Sequence, residues 1–401
     1  MGHSSELINI GNFMSYSLEP LFIENPPESV SDRVAELIRM AEKIGSNLHE
    51  DTKASLADLL RVVNCYYSNK IEGHNTSLRD IQRALEDDLD SDEKRRNLQI
   101  EARAHIRVQH TIDSLYRTGK LPDPVSTDFL LFLHKEFYQG ASDEMLALED
   151  GSGFVSGQIR SREVKVEHHF APEAKTVPKL MEYFSNRYAS KKLGLNKRVM
   201  SLAAAHHRML YIHPFPDGNG RVARLMSHAM VMQSGLGASG LWSISRGFAR
   251  GLENRDDYKS KLAWADHPRM NDTDGRGALS RSALIDFTEW FLDVCKDQMT
   301  FMSGILELET LKDRLRDYLS SIGQREEAFR ILDRVILQGQ MPRGEARYST
   351  GLADRATRTI LSDLVDAKLL QSRTPKGPVS FAIPVDALDS LFPRLVERSA
   401  T

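Results

Sequence analysis

The sequence predicts a mainly α-helical protein with one β-hairpin in its middle and a winged helix-turn-helix at its C-terminal end. Three observations carry this expectation. Apolar residues recur at helical spacing through most of the 401 residues. One glycine-rich stretch, "GSGFVSGQIRSREVKVEHHFAPEA", breaks that texture, and its "REVKV" alternates with period two. At the end, "EEAFRILDRVILQG", "GEARYSTG", "LADRATRTILSDLVDAKLL" and "QSRTPKGPVSFAIP" read as helix, short helix, helix and hairpin.

Taken in order, residues 1–30 read as irregular and end at Pro26-Pro27. "VSDRVAELIRMAEKIGSNL" opens the helices, and "LADLLRVVNCYYSNKIEG" is the second, stopped at Gly73. Ser77 is a plausible cap for "SLRDIQRALED". A fourth helix spans 92–115, and a fifth runs from a cap near Ser126 to a stop at Gly140. After the hairpin, helices resume at Val177, Lys197 and Asn219, and further ones cover about 253–265 and 280–320. The expected division is an N-terminal region over 1–90, a helical core with its hairpin at about 153–167 over 91–320, and the winged helix over 325–401.

Composition narrows the function classes. A formal net charge of −3 gives no global pull toward nucleic acid or membrane. Cys65 and Cys295 are too few and too far apart for a disulfide framework or a zinc site, and read as buried thiols. The N-terminus lacks a basic segment followed by an apolar run, and no apolar stretch approaches the roughly 18 residues of a membrane span. The expected location is the cytoplasm.

The chemistry concentrates in "HPFPDGNGRVAR", from His213 to Arg224. Pro214 and Pro216 break the preceding helix and leave His213 at its boundary. Gly218-Asn219-Gly220 opens the next helix, whose unpaired N–H groups and dipole suit an anion. Arg221 and Arg224 add positive charge one turn apart. Asp217 suits Mg²⁺ bound together with substrate phosphates, and His213 suits a general base. A nucleoside triphosphate with Mg²⁺ is the natural ligand. The plainer alternative is a structural helix start with two solvated arginines.

This stretch resembles the active-site signature of the Fic family, His-x-Phe-x-Asp/Glu-Gly-Asn-Gly-Arg-x-x-Arg. His213, Phe215, Asp217, Gly218, Asn219, Gly220, Arg221 and Arg224 occupy its fixed positions. The resemblance implies a Fic-type helical bundle with a β-hairpin flap, and AMP transfer from ATP to a protein hydroxyl. It implies that His213 takes the hydroxyl proton and Asp217 binds Mg²⁺. It implies that the amides of Gly218, Asn219 and Gly220, with the Asn219 side chain, hold the α-phosphate region. Arg221 would face the β-phosphate and Arg224 the γ-phosphate, while Phe215 packs the loop. The hairpin would be the flap where a target adds a strand, making Ile159, Arg160, Val164, Lys165 and Val166 docking candidates. An ordinary surface hairpin is the alternative. "ENRDDYKSKL" resembles the segment near the adenine, so Asn254 and Tyr258 are candidates there, against a plain exposed helix start.

"SNKIEG" resembles the family's inhibitory motif, Ser/Thr-x-x-x-Glu-Gly/Asn, within a helix at about 56–73. Ser68, Glu72 and Gly73 match. The implied brake is a Glu72–Arg224 pair that denies the γ-phosphate its place. A surface glutamate in an ion pair worth about 0–1 kcal/mol is the alternative. His168-His169 reads as a loop pair, His206-His207 as packing or polar support, and Met226, Met230 and Met232 as core. In the C-terminal segment Arg355 and Arg358 lie near the front of the candidate recognition helix, but the segment is only weakly basic. Expected partners are therefore a target protein, the chain itself as substrate, DNA or another protein at the winged helix, and a second copy in a homodimer, with no membrane. A DNA-binding regulator that senses nucleotide, another nucleotide as donor, and removal of AMP are the competing functions.

Overall fold

The computed structural model describes residues 17–166 and 169–397. The chain forms two compact units. One contains residues up to Ala41, Asn64–Gly237 and Ile244–Gln298; the other contains Glu42–Val63, Ala238–Ser243 and the chain from Met299.

The first unit is helical. Its elements include α1 (Glu28–Lys43), the end of α2 (Glu50–Ile71), α3 (Leu78–Leu85), α4 (Glu93–Arg117) and α5 (Thr127–Phe137). Further along the chain come α6 (Val177–Tyr188), α7 (Leu195–Ile212), α8 (Asn219–Gln233), α9 (Ile244–Arg250), α10 (Asp257–Ala265) and most of α11 (Arg281–Ile305). Helix α8 packs on α7, α4 and α5. From Arg221 to Met232 every residue of α8 is buried, Met226, Met230 and Met232 included. A helix buried on all sides belongs at the centre of a core, and this one places the "GNGRVAR" motif there. Cys65 and Cys295 are buried free thiols.

Local chemistry sets the helix ends. Ser77 and Asp80 form a reciprocal capping box before α3. Helices α4 and α5 are capped by Asp92 and Ser126. At the end of α2, the His74 amide donates to the Asn69 carbonyl and the Gly73 amide to that of Lys70. Gly73 sits at φ 80°, so the turn is a Schellman closure that needs glycine. It leaves Glu72 as the last residue before the chain reverses. Helix α9 was not expected from the sequence; it is short and nearly all buried, so it shows no periodic contrast.

The hairpin is displaced and shorter than expected. Strand β1 (Lys165–Val166) pairs antiparallel with β2 (His169–Phe170), Lys165 opposite Phe170. Residues 153–164 contain no strand, only a bridge from Gly153 to Ala147. The reason lies in their hydrogen bonds: the Gly157 amide donates to His134 and the Arg160 amide to the Pro214 carbonyl, so they are not available to a partner strand. His169 therefore stands on a strand, not in a loop, and His168 lies outside the described residues.

In the second unit, α12 (Leu308–Ser321) and α13 (Glu326–Gln338) are followed by β3 (Gln340–Met341), α14 (Ala346–Thr350), α15 (Asp354–Asp366), β4 (Leu370–Gln371), β5 (Val379–Phe381) and α16 (Leu388–Leu391). The expected helix at 280–320 is thus broken, α11 ending at Ile305 and α12 starting after the Glu307 cap. The three strands form an antiparallel sheet in the order β3-β5-β4. Buried Ile331, Leu332 and Val335 of α13, Ile360 and Leu364 of α15 and Phe381 of β5 form its core. Gly351 closes α14 at φ 69°.

Ser77→Ala should remove the box before α3 and lower stability by about 1 kcal/mol, read as an earlier midpoint in urea unfolding followed by helix signal. An unchanged midpoint would show that the cap carries no weight here.

Candidate active site

The loop between α7 and α8 is held from four directions. His213 caps α7 with left-handed dihedrals, φ 50° and ψ 61°. This is a strained conformation for a residue with a side chain. It turns the chain just where Pro214 forbids more helix. The Arg160 guanidinium secures that turn from below: Nε donates to the His213 carbonyl at 2.7 Å and a terminal nitrogen to the Ile212 carbonyl at 3.5 Å. It also donates to the carbonyls of Arg162 and Pro172. A cation on the last carbonyls of a helix complements its dipole. Arg160 is 3% exposed. This corrects its expected place among the docking residues: it is an internal strut with every hydrogen bond spent on carbonyls. Val164 is half-buried and Lys165 exposed, while Ile159 is half-buried.

Phe215 is fully buried and stacks on His134 at 4.1 Å between ring centroids. Asn219 folds back on it, Oδ1 accepting from the Phe215 amide at 2.9 Å and Nδ2 donating to its carbonyl at 2.8 Å. In this structure the Asn219 side chain is occupied in closing the loop. Its backbone amide is a separate matter. Gly218 is the cap residue of α8 at φ 76°, and no side chain caps the helix. The first N–H groups of α8 thus remain for a ligand.

The charged groups converge on that helix end. Arg224, 1% exposed, donates from Nε to Ser68 Oγ at 3.0 Å and to the Ser68 carbonyl at 3.3 Å. It also forms an ion pair with Glu72. Ser68 and Glu72 are four apart, which sets both on the face of α2 turned to Arg224. The Glu72 carboxylate rests over the start of α8: a Cβ on Gly220 would lie 2.6 Å from its Oε1. Burial works to raise the Glu72 pKa, but Arg224 and Arg221 outweigh it and keep the group below its ordinary value.

Arg221 is bound by two other carboxylates. It donates to Glu101 Oε1 at 2.5 Å and to Asp217 Oδ2 at 3.0 Å. Glu101 is 5% exposed. Arg221 and His74 overcome its burial and lower its pKa to about 2. The Tyr138 hydroxyl donates to the same Asp217 oxygen at 2.5 Å. Asp217 Oδ1 has no protein partner among the described residues. Glu101, Tyr138 and His134 are functional neighbours that the sequence reading missed. The available signals were a carboxylate on the apolar face of α4 and a His-x-x-x-Tyr spacing on one face of α5.

His213 is kept neutral. Burial first, then the charge of His169, pushes its pKa down to about 4. His169 is itself fixed by Asp266, which pairs with His169 Nδ1 at 3.1 Å and His207 Nε2 at 2.9 Å. Burial works against protonation of His169, but the Asp266 bond prevails and its pKa is raised. His206 bridges Ser227 Oγ and the Tyr258 hydroxyl. Tyr258 is 4% exposed and stacks on Phe248 at 4.5 Å. Its hydroxyl and ring are both engaged in the core. Asn254 is exposed and its Oδ1 accepts from the Asp256 amide.

Residues 124–231 match the Fic/DOC family. The chain is similar in sequence to the protein adenylyltransferase Fic of Nematostella vectensis, 38% identical over 112 residues, which are 28% of this chain and 24% of that protein. It is also similar to the protein adenylyltransferase Fic of Aedes aegypti, 37% identical over 79 residues, 20% of this chain and 16% of that protein. The match thus spans a quarter or less of these relatives. In fold the chain is similar to the crystal structure of a Fic family protein from Desulfovibrio desulfuricans G20. The TM-score is 0.53 at 18% identity, over 90% of this chain and 98% of that one. Residues 134–508 of Fic-1 from C. elegans give 0.53 at 17% identity, over 70% and 73%.

In a histidine NMR titration, His213 should stay neutral down to about pH 4 and His169 should titrate above 6.5. Because His169 is raised, its pair with Asp266 stabilises below the unfolded value and is lost as pH rises through the folded one. A His213 midpoint at 6.5 or above would contradict this electrostatic arrangement.

Proposed function

We propose that the chain transfers AMP from ATP to a hydroxyl side chain of target proteins and of itself, with Mg²⁺, and that Glu72 restrains it. The observation that carries this reading is the uncapped start of α8, flanked by two buried arginines and covered by an internal carboxylate. The relatives named adenylyltransferases, which match over this stretch, support it.

In this reading the neutral His213 imidazole accepts the proton of the target hydroxyl. The oxygen attacks the α-phosphorus as the bond to the bridging oxygen breaks and pyrophosphate leaves. The amides of Gly218, Asn219 and Gly220 hold phosphate oxygens; Arg221 and Arg224 neutralise the β and γ groups, as positioning and charge neutralisation dominate such transfers. The donor set fits Mg²⁺, because Asp217 offers one free oxygen on a half-exposed side chain and this ion takes one or two carboxylates plus phosphates. The bound ion would offset the triphosphate charge. Arg224 cannot serve a γ-phosphate while it pairs with Glu72. The β1 edge, with Val164, Lys165 and Val166, is the proposed docking strand. The free thiols of Cys65 and Cys295 suit a reducing compartment such as the cytoplasm.

The test uses ATP labelled at the α-phosphate, with Mg²⁺, on the parent, Glu72→Gly, and Glu72→Gly with His213→Ala. Label on protein should rise at least about tenfold in the second form and fall by about 10²–10⁴ in the third, the range for a lost general base. No label in any form overturns the reading; equal label in parent and Glu72→Gly overturns the brake.

A second reading rests on Arg355 and Arg358, both exposed on α15 within a helix–strand–helix–helix–strand–strand order that we take for a winged helix. Here the chain would retain duplex DNA with affinity falling steeply as salt rises, and Arg355→Ala with Arg358→Ala would release it. Salt-independent or absent retention removes this reading.

A further inference from the structure

Asp217 is held by two residues of one helix, beside its ion pair with Arg221. Tyr138 is the residue that ends α5, and its hydroxyl donates to Asp217 Oδ2 at 2.5 Å. One turn earlier, His134 places Nε2 3.2 Å from the Asp217 carbonyl. The other ring nitrogen, Nδ1, accepts from the Gly157 amide at 2.7 Å. That bond fixes the tautomer: Nδ1 is the acceptor, so Nε2 carries the proton and donates to Asp217. The backbone and the side chain of one residue are thus held by His134 and Tyr138, four apart on one face of α5.

Tyr138 is well anchored for this work. It is 5% exposed, its ring meets Phe137 and Phe154 edge-on, and His134 lies 5.0 Å away. Its hydroxyl presses against Gly218, where a Cβ would lie 2.9 Å from it. Arg221 reaches the same hydroxyl at 3.4 Å and the same carboxylate oxygen at 3.0 Å. Oδ2 therefore carries two donors, and Oδ1 none among the described residues. A carboxylate with one oxygen committed has one orientation left for the other.

We propose that Tyr138 is a positioning residue for the metal carboxylate: by fixing Oδ2 of Asp217 it presents Oδ1 to the divalent cation. The proposal rests on the Mg²⁺–triphosphate reading above. Hydrogen-bond partners of metal-binding carboxylates commonly set metal affinity, and their loss costs about 10- to 100-fold.

The experiment uses the full chain with Glu72→Gly, alone and with Tyr138→Phe. Mn²⁺ affinity is measured by the EPR signal of free Mn²⁺ in the presence of α,β-methylene ATP. The affinity for that nucleotide in EDTA is measured by calorimetry, and folding by thermal unfolding. Tyr138→Phe should weaken Mn²⁺ binding about 10- to 100-fold and leave metal-free nucleotide affinity unchanged. Unchanged Mn²⁺ affinity overturns the proposal. Equal losses with and without metal, or a collapse in thermal stability, also overturn it, because Tyr138 then shapes the loop and not the carboxylate. If Glu72→Gly alone binds neither Mn²⁺ nor nucleotide, the triphosphate reading fails first and takes the proposal with it.

Discussion

The first unit is organised around the buried start of α8, where positive charge must be answered. The helix brings uncapped amides and the side chains of Arg221 and Arg224 into the protein interior. Buried charge without a partner is costly. The chain supplies three carboxylates: Glu101 and Asp217 for Arg221, and Glu72 for Arg224. These are not equivalent. Glu101 belongs to the middle of α4 and its side chain is 7% exposed, while the Glu72 side chain keeps 29% exposure beyond the last turn of α2. Glu72 also sits at the C-terminal end of its own helix, where the dipole disfavours an anion. Its place is favourable because of α8 and Arg224, and it is the carboxylate with least to hold it once another anion competes.

Around this centre the protein spends its buried donors on fixing backbone. Arg160 binds the last carbonyls of α7 and the carbonyl of His213, Asn219 closes on Phe215, and His134 joins the flap segment at Gly157 to Asp217. Each contact costs the side chain its freedom to meet a ligand. What remains for chemistry is small: a neutral imidazole on His213, one oxygen of Asp217, and the amides of α8. That division separates a rigid frame from a few free groups, as catalytic positioning within fractions of an ångström demands.

The helices and the central loop were legible because their determinants are contiguous. Caps at Ser77, Asp92 and Ser126 and the stop at Gly73 act within one turn, and the twelve residues from His213 hold base, acid and helix start in one string. The Ser68–Glu72 spacing was legible for the same reason, since four residues make one face. Glu101, His134 and Tyr138 were not, because they reach the loop across 120, 83 and 79 residues. Arg160 was grouped with the docking candidates because it lies in the stretch that resembles the flap, and only the fold shows the carbonyls that bury it. The hairpin was misplaced for a related reason: period two marks where strands are possible, while the competing bonds of Gly157 and Arg160 decide where they form.

The geometry at Gly220 also constrains how the proposed restraint would work. Glycine there lets a phosphate approach the first amides of α8. The same missing Cβ makes room for Glu72, whose Oε1 lies 2.6 Å from where that atom would be. In the proposed function the Glu72 carboxylate and the γ-phosphate would therefore claim one volume and one guanidinium. Their opposition needs no relay through the fold: whatever lifts Glu72 away from Arg224 frees space and charge together, and whatever fills that space with an anion of its own must first displace the carboxylate. Restraint of the proposed kind would be direct competition inside the site.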